Sequence, residues 1–177
     1  MNREDIIHTF NGVKKIAEVG VLRGKFANHL LSVKECEELH LIDPWKYFGK
    51  EIYSDHSKKT QDEWDSTYKF VQNKFSNNSK VKIHRLESVN AASNFADSYF
   101  DLVYIDANHS YETVKEDINA WLPKINNGGW IGGHDICTPS VKKAVAEMFE
   151  SWDETTEFDE NTIGIKHPKS WFVKIKK

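Results

Sequence analysis

The sequence predicts an α/β domain: a mostly parallel, seven-stranded sheet with helices on both faces and an antiparallel β-hairpin at the C-terminal end. Three observations lead there. Strand-like and helix-like segments alternate along most of the 177 residues, the pattern that builds parallel sheets through crossover helices. Residues 100–106 are almost continuously apolar, as a central strand covered on both faces must be. Beyond residue 160 the rhythm changes to two β-like runs around His167-Pro168-Lys169, the mark of a hairpin.

Each element carries its own signal. Residues 15–20 read as a strand and 25–33 as a helix with Phe26, Leu30 and Leu31 on one face. Residues 39–43 are a second strand, followed by a helix over 61–75 on which Trp64, Tyr68, Val71 and Phe75 recur at helical spacing. Residues 81–86 are a third strand. The helix after the central strand places Tyr111, Val114, Ile118, Trp121 and Leu122 on one side. Gly128-Gly129 introduces a fifth strand at 130–133. Ser140 is positioned to cap the next helix, whose Val141, Ala144, Val145, Met148, Phe149 and Trp152 form an apolar stripe. The hairpin runs are 161–166 and 170–176.

The composition is 39% apolar, 29% charged and 12% aromatic, a globular profile. Lys and Arg number 24 against 27 Asp and Glu, so the basic surplus that nucleic acid or an anionic membrane calls for is missing. No apolar run approaches the ~18 residues of a membrane span, and the N-terminus lacks the pattern of a secretory signal. Cys36 and Cys137 form no Cys-x-x-Cys and read as reduced thiols. The expectation is one cytoplasmic domain over 1–177, with an extension at 1–14 and neither nucleic acid nor membrane as partner.

In parallel sheets ligands gather at the carboxyl ends of the strands. The first strand ends Glu18-Val19-Gly20-Val21-Leu22-Arg23-Gly24. A dinucleotide site would need glycine where Leu22 stands, and Glu18 is a poor neighbour for a pyrophosphate but suits a cationic ligand. Asp43 ends the second strand nineteen residues after Gly24, where a carboxylate can take the hydroxyls of a ribose. A ribose with a cationic, phosphate-free tail describes S-adenosylmethionine better than NAD. An ordinary glycine turn remains the plain alternative.

The run of motifs extends further: Glu18-x-Gly20-x-x-x-Gly24, Leu41-Ile42-Asp43-Pro44-Trp45, Leu86-Glu87-Ser88, Asp101 to Asp106 with Ala107-Asn108-His109-Ser110-Tyr111-Glu112, and Gly128-Gly129 to His134-Asp135. In this order the chain resembles the class I S-adenosylmethionine-dependent methyltransferases, and within them the small O-methyltransferases that act on sugars and sugar-bearing natural products. The resemblance covers about residues 14–150 and is most specific from Asp106 to Asp135. It implies a Rossmann-like fold in which Glu18, Gly20 and Gly24 border the methionine moiety, Asp43 holds the ribose, Trp45 walls the pocket and Glu87 and Ser88 lie by the adenine. Asp106 would border the cofactor as well.

The same resemblance sets the fourth and fifth strands side by side, so that Asp106 converges with His134 and Asp135. Two carboxylates open to solvent make a hard-metal site for Mg²⁺. His134 stands where the resembled metal-dependent enzymes carry an acidic residue, and with an imidazole in the set Mn²⁺ or Fe²⁺ fits at least as well. Metal-free use of the pocket stays open, and His134 could instead support the ligands or orient substrate. An unactivated hydroxyl attacks a sulfonium methyl poorly, so a base or a metal must deal with its proton. Related sugar methyltransferases carry a histidine base at the offset of His109, with Asp106 beside it; the plain reading of Asn108-His109-Ser110 is a helix start. Tyr111 and Glu112 read as structural. His8, His29, His40, His56, His84 and His167 show no ligand spacing and read as surface or packing residues.

Residues 44–59 form the one long irregular connection at the ligand-bearing edge, rich in aromatic rings and with Gly49 as a hinge. They are the expected acceptor or lid loop, although Tyr53 could equally pack down on the sheet. The N-terminal extension is too short for a helical cap, so an open acceptor site is expected, finished by a second copy or a fused domain. The functional expectation is methyl transfer to a hydroxyl of a sugar or other small polar acceptor, a small molecule or glycan, assisted by Mg²⁺ or Mn²⁺ and with His109 as base. The alternatives are a metal-independent methyltransferase and a non-catalytic binding module. Leu22 and Glu18 argue against a dehydrogenase.

Overall fold

The computed structural model describes residues 10–49, 60–155 and 169–177. Its centre is a seven-stranded sheet in the order β3-β2-β1-β4-β5-β7-β6. The strands are β1 (Lys15–Val19), β2 (Glu38–Ile42), β3 (Val81–His84), β4 (Phe100–Ile105), β5 (Ile125–Gly133), β6 (Asp153–Glu154) and β7 (Trp171–Lys174). The first five run parallel, while β7 lies antiparallel to both β5 and β6. The helices are α1 (Lys25–Leu31), α2 (Gln61–Phe75), α3 (Ser88–Ala92), α4 (Tyr111–Trp121) and α5 (Pro139–Met148).

Side chains alternate across each strand, so the sheet sorts them into two cores. Ile16, Leu39, Leu41, Leu102 and Tyr104 pack with Phe26 and Leu30 of α1 and Trp64, Val71 and Phe75 of α2. Their neighbours Ala17, Val19, Ile42, Val103 and Ile105 face the other way, onto Ala91 and Ala92 of α3, Val114, Ile118 and Trp121 of α4, and Val141, Ala144 and Val145 of α5. Helices on both faces are therefore a direct consequence of strands that are apolar on both sides.

The expected elements are present with adjusted ends. α2 starts where Thr60 and Glu63 complete a reciprocal capping box. β5 begins at Ile125 rather than 130, so the Asn126–Gly129 stretch belongs to the strand. Ser140 is not a cap: Thr138 holds that position at the start of α5, and the Ser140 hydroxyl donates to the His109 carbonyl at 2.5 Å. Short α3, which carries no helical periodicity of its own, was not expected. The partners that β7 finds among the described residues are β5 and Asp153–Glu154; the run at 161–166 lies outside the described residues. Cys36 is buried, Cys137 is exposed, and neither is part of a disulfide. No helix among the described residues is long and apolar enough to cross a membrane.

At the β3 edge, two of the histidines expected to pack do more. His40 Nδ1 lies 2.9 Å from His84 Nε2, and His40 Nε2 lies 3.2 Å from Glu38 Oε2, which also accepts from the Tyr99 hydroxyl at 2.7 Å. Burial pushes both imidazoles toward the neutral form.

Candidate active site

The carboxyl ends of β1, β2 and β4 open into a cleft lined by Gly20, Leu22, Asp43, Tyr47, Asp106 and Ala107. It adjoins a groove of about 770 Å³ that runs between α3 and α4 past Glu87, Ser88 and Asp117, within the ~300–1,000 Å³ typical of small-molecule and cofactor sites. Gly20 has φ +89°, and a Cβ on it would fall 2.1 Å from the Asp106 carbonyl oxygen. No other residue type allows β1 and β4 to approach so closely at the floor of the cleft.

Asp43 is the hub of the cofactor side. Its Oδ2 accepts from the backbone N–H of Val21 (3.0 Å) and Leu22 (2.9 Å), and its Oδ1 from that of Trp45 (2.7 Å). A carboxylate has about four lone-pair sites, so three amides leave it little spare capacity. Asp43 thus builds the glycine turn as well as facing the cleft. The Trp45 side chain is fully buried, and it is not among the described residues that line the cleft or the groove. Its indole instead lies under the turn, Nε1 donating to the Leu22 carbonyl at 2.9 Å.

Glu18 and Gly24 are buried and do not line the cleft. Lys74 of α2 reaches the carbonyls of Arg23 and Gly24, and the Glu18 charge partly offsets the effect of burial on its ammonium. Gly24 is set by packing, since a Cβ there would meet the Phe75 ring at 2.7 Å. Glu87 and Ser88 do line the groove. Glu87 pairs with Lys46 across its mouth at 2.9 Å, and the Ser88 hydroxyl accepts from Trp121 Nε1 at 2.9 Å.

Beside the cleft lies a cluster of opposite character. The Asp106 N–H donates to the Val19 carbonyl (2.7 Å) and the His134 N–H to that of Ile105 (3.0 Å), which carries the ends of β4 and β5 forward together. Asp135 then turns back at φ +57°, a left-handed conformation that aspartate tolerates better than most residues. Ligand atoms of Asp106, His134 and Asp135 all come within 4.8 Å of one another. His109 completes the group, as expected: its Nε2 is 3.0 Å from Asp135 Oδ2 and 3.8 Å from Asp106 Oδ1. That nitrogen is buried yet makes no well-aligned hydrogen bond to either carboxylate.

The electrostatics follow from this crowding. The neighbouring carboxylates of Asp106 and then Asp135, against burial, push His109 up to about 10. Burial would raise Asp135, but His109 and His134 together outweigh it and hold the carboxyl far below its ordinary range. His109 does not cap α4. Ser110 does so, accepting from the Thr113 N–H at 3.3 Å, and Asn108 Oδ1 accepts from Ser110 N–H at 2.8 Å. Tyr111 is structural, as expected, its hydroxyl donating to Glu147 of α5.

A family model described as a methyltransferase domain matches residues 17–136. The chain belongs to that family. Its Rossmann-like sheet is the fold of the S-adenosylmethionine-dependent methyltransferases. Among solved structures, spermidine synthase from Thermotoga maritima is similar at 11% identity and a TM-score of 0.66, over 98% of this chain and 57% of that one. The N-methyltransferase NodS from Bradyrhizobium japonicum aligns at 12% identity and 0.65, over 99% and 93%. An O-methyltransferase family protein from Burkholderia thailandensis aligns at 10% and 0.62, over 98% and 55%. This methyltransferase thus spans little more than half the length of the first and third. No curated protein matches the sequence. The neighbours are named for different reactions, so the shared fold leaves the acceptor to the site itself.

Residues that escaped the sequence reading are Arg85 and Gln61. Arg85 donates to the carbonyls of Pro44 (3.3 Å) and Trp45 (2.9 Å), and Gln61 to that of Trp45 (3.2 Å). The loop segment 44–49 is thereby docked onto α2; residues 50–59, the remainder of the expected acceptor loop, lie outside the described residues.

Proposed function

We propose that this methyltransferase moves the methyl of S-adenosylmethionine to a hydroxyl of a small polar acceptor, a sugar being the foremost class, at a site holding a divalent cation. The observation that carries the reading is the convergence of Asp106, His134, Asp135 and His109 at the ends of β4 and β5, with Asp106 shared by the cofactor cleft. The donor set fits a cation: two carboxylates and an imidazole lie close together, and a fourth donor, the buried Nε2 of His109, aims among them without a well-aligned hydrogen bond. Two oxygens and one or two nitrogens favour Mn²⁺ or Fe²⁺ alongside Mg²⁺.

Asp106, His134 and Asp135 would hold the ion, which would lower the acceptor hydroxyl's pKa and draw carboxylate charge away from His109. The roles of the protein groups follow. With both carboxylates bare, His109 is an imidazolium and can give a proton but not take one. With their charge engaged, Nε2 returns to the neutral form and accepts the hydroxyl proton as the C–O bond forms and the S–C bond breaks. Asp135, close to both histidines, fixes their orientation.

A second reading has its own observation. The two histidines already neutralise the carboxylates at 3.0–3.1 Å, and a metal-free enzyme could use His109 as a donor that orients the acceptor. Mass-spectrometric screening of sugars and small hydroxylated acceptors for a gained methyl, with and without chelator, separates the two. The proposal expects transfer that is lost on chelation and restored by Mn²⁺ or Mg²⁺. Transfer that survives exhaustive chelation removes the ion from the mechanism.

A further inference from the structure

Two bulky residues of the cofactor turn sit in left-handed backbone: Leu22 at φ +51° and Trp45 at φ +39°. Leucine and tryptophan rarely occupy this region, and such strain persists only where surrounding contacts over-determine it. Those contacts can be followed outward. The N–H groups of Val21, Leu22 and Trp45 all end on Asp43, and the Trp45 indole holds the Leu22 carbonyl. The Trp45 carbonyl in turn is held from outside the cleft, by Arg85 just beyond β3 and by Gln61 on α2. Arg85 itself is fixed: it also reaches the Pro44 carbonyl, bonds to Asp65 and lies 4.8 Å over the Tyr68 ring, whose centroid is 5.0 Å from that of Trp45.

We propose that Arg85 is a positioning residue for cofactor binding, a strut that lines neither cleft nor groove but keeps Trp45, and through it Leu22 and Asp43, in the geometry the cofactor meets. A planar guanidinium reaches two carbonyls and a carboxylate from nitrogens spread over a rigid fork, whereas an ammonium offers its three donors from a single point. The proposal rests on the reading that the cleft binds S-adenosylmethionine or its product.

The test is calorimetric titration of S-adenosylhomocysteine into the wild type, Arg85→Lys, Leu22→Gly and the double variant. Arg85→Lys is expected to weaken binding at least tenfold. Glycine adopts the Leu22 backbone without strain, so in the Leu22→Gly background the same lysine substitution should cost less than half as much on a logarithmic scale. Equal losses in both backgrounds would mean Arg85 acts only through general stability and would overturn the inference, as would unchanged affinity in Arg85→Lys. Should that variant prove unfolded by circular dichroism, Asp65→Asn, which loosens the strut at its far end, should still weaken binding severalfold; unchanged affinity there overturns the inference too. A wild type that does not bind the probe refutes the cofactor reading itself, a different outcome from any of these.

Discussion

The two halves of the site are held together in opposite ways. On the cofactor side, backbone N–H groups hold the Asp43 carboxylate while side chains hold the Leu22 and Trp45 carbonyls, and these hydrogen bonds override the backbone preferences of Leu22 and Trp45. On the acceptor side, around Asp135, four titratable groups crowd together through charge, and the buried nitrogen of His109 aims at carboxylates without bonding well to them. The first arrangement is complete as it stands and suits a ligand that arrives at a fixed shape. The second is balanced by electrostatics alone and changes character with whatever enters it. Under the proposed function, the first half would bind the cofactor and the second would do the chemistry.

Breaking the seam between the halves should have the largest effect. Gly20→Ala drives a methyl into the Asp106 carbonyl and should destabilise the fold by about 3 kcal/mol, read from denaturant unfolding. Next, Asp135→Asn should cut methyl-transfer turnover by roughly 100-fold, as removal of an ion-pairing and ligating carboxylate does, while affinity for S-adenosylhomocysteine stays within about threefold. Asp43→Asn should do the reverse, lowering cofactor affinity by about tenfold for the loss of charge-assisted hydrogen bonds to the turn. Equal effects of these two changes on binding and turnover would erase the division of labour.

The smallest effect is on pH dependence, and its sign differs between two histidine groups. His109 has its pKa raised from 6.5 to about 10, so in metal-free protein its stabilisation is full below 6.5 and fades as pH rises toward 10. His40 and His84 are shifted below 6.5 by burial, so their contribution is present above 6.5 and lost as pH falls. Thermal unfolding across pH should therefore show both an acid and an alkaline decline. His109→Gln should flatten only the alkaline limb and His84→Gln only the acid one.

Periodicity made most of the fold legible, because strands apolar on both faces and helices with one apolar stripe carry distinct patterns. It fails where pattern is absent: the five residues of α3, the polar start of β5 at Asn126–Gly129, and the cap of α5, where Ser140 turned instead to the His109 carbonyl. The acid–histidine cluster was legible from strand ends, because the family resemblance set the fourth and fifth strands side by side and so placed Asp106 beside His134 and Asp135. At Glu18 and Trp45 residue type alone did not reveal the local partners. A carboxylate and an indole next to a ligand-binding turn can serve the ligand, the turn or both. Only the structure shows the Trp45 indole donating to the Leu22 carbonyl and the Glu18 charge acting on Lys74. Arg85 and Gln61 stood in the sequence as ordinary polar residues, because a side chain that braces a distant carbonyl has no sequence signal.

The central claim is that the charged half of the site holds a cation. Paramagnetic resonance of Mn²⁺ titrated into the protein tests it most directly, with Asp135→Asn as the comparison. The account predicts one stoichiometric site in the wild type, lost in the variant while S-adenosylhomocysteine still binds to both. Absence of Mn²⁺ binding in the wild type, or binding that the substitution leaves untouched, would contradict it.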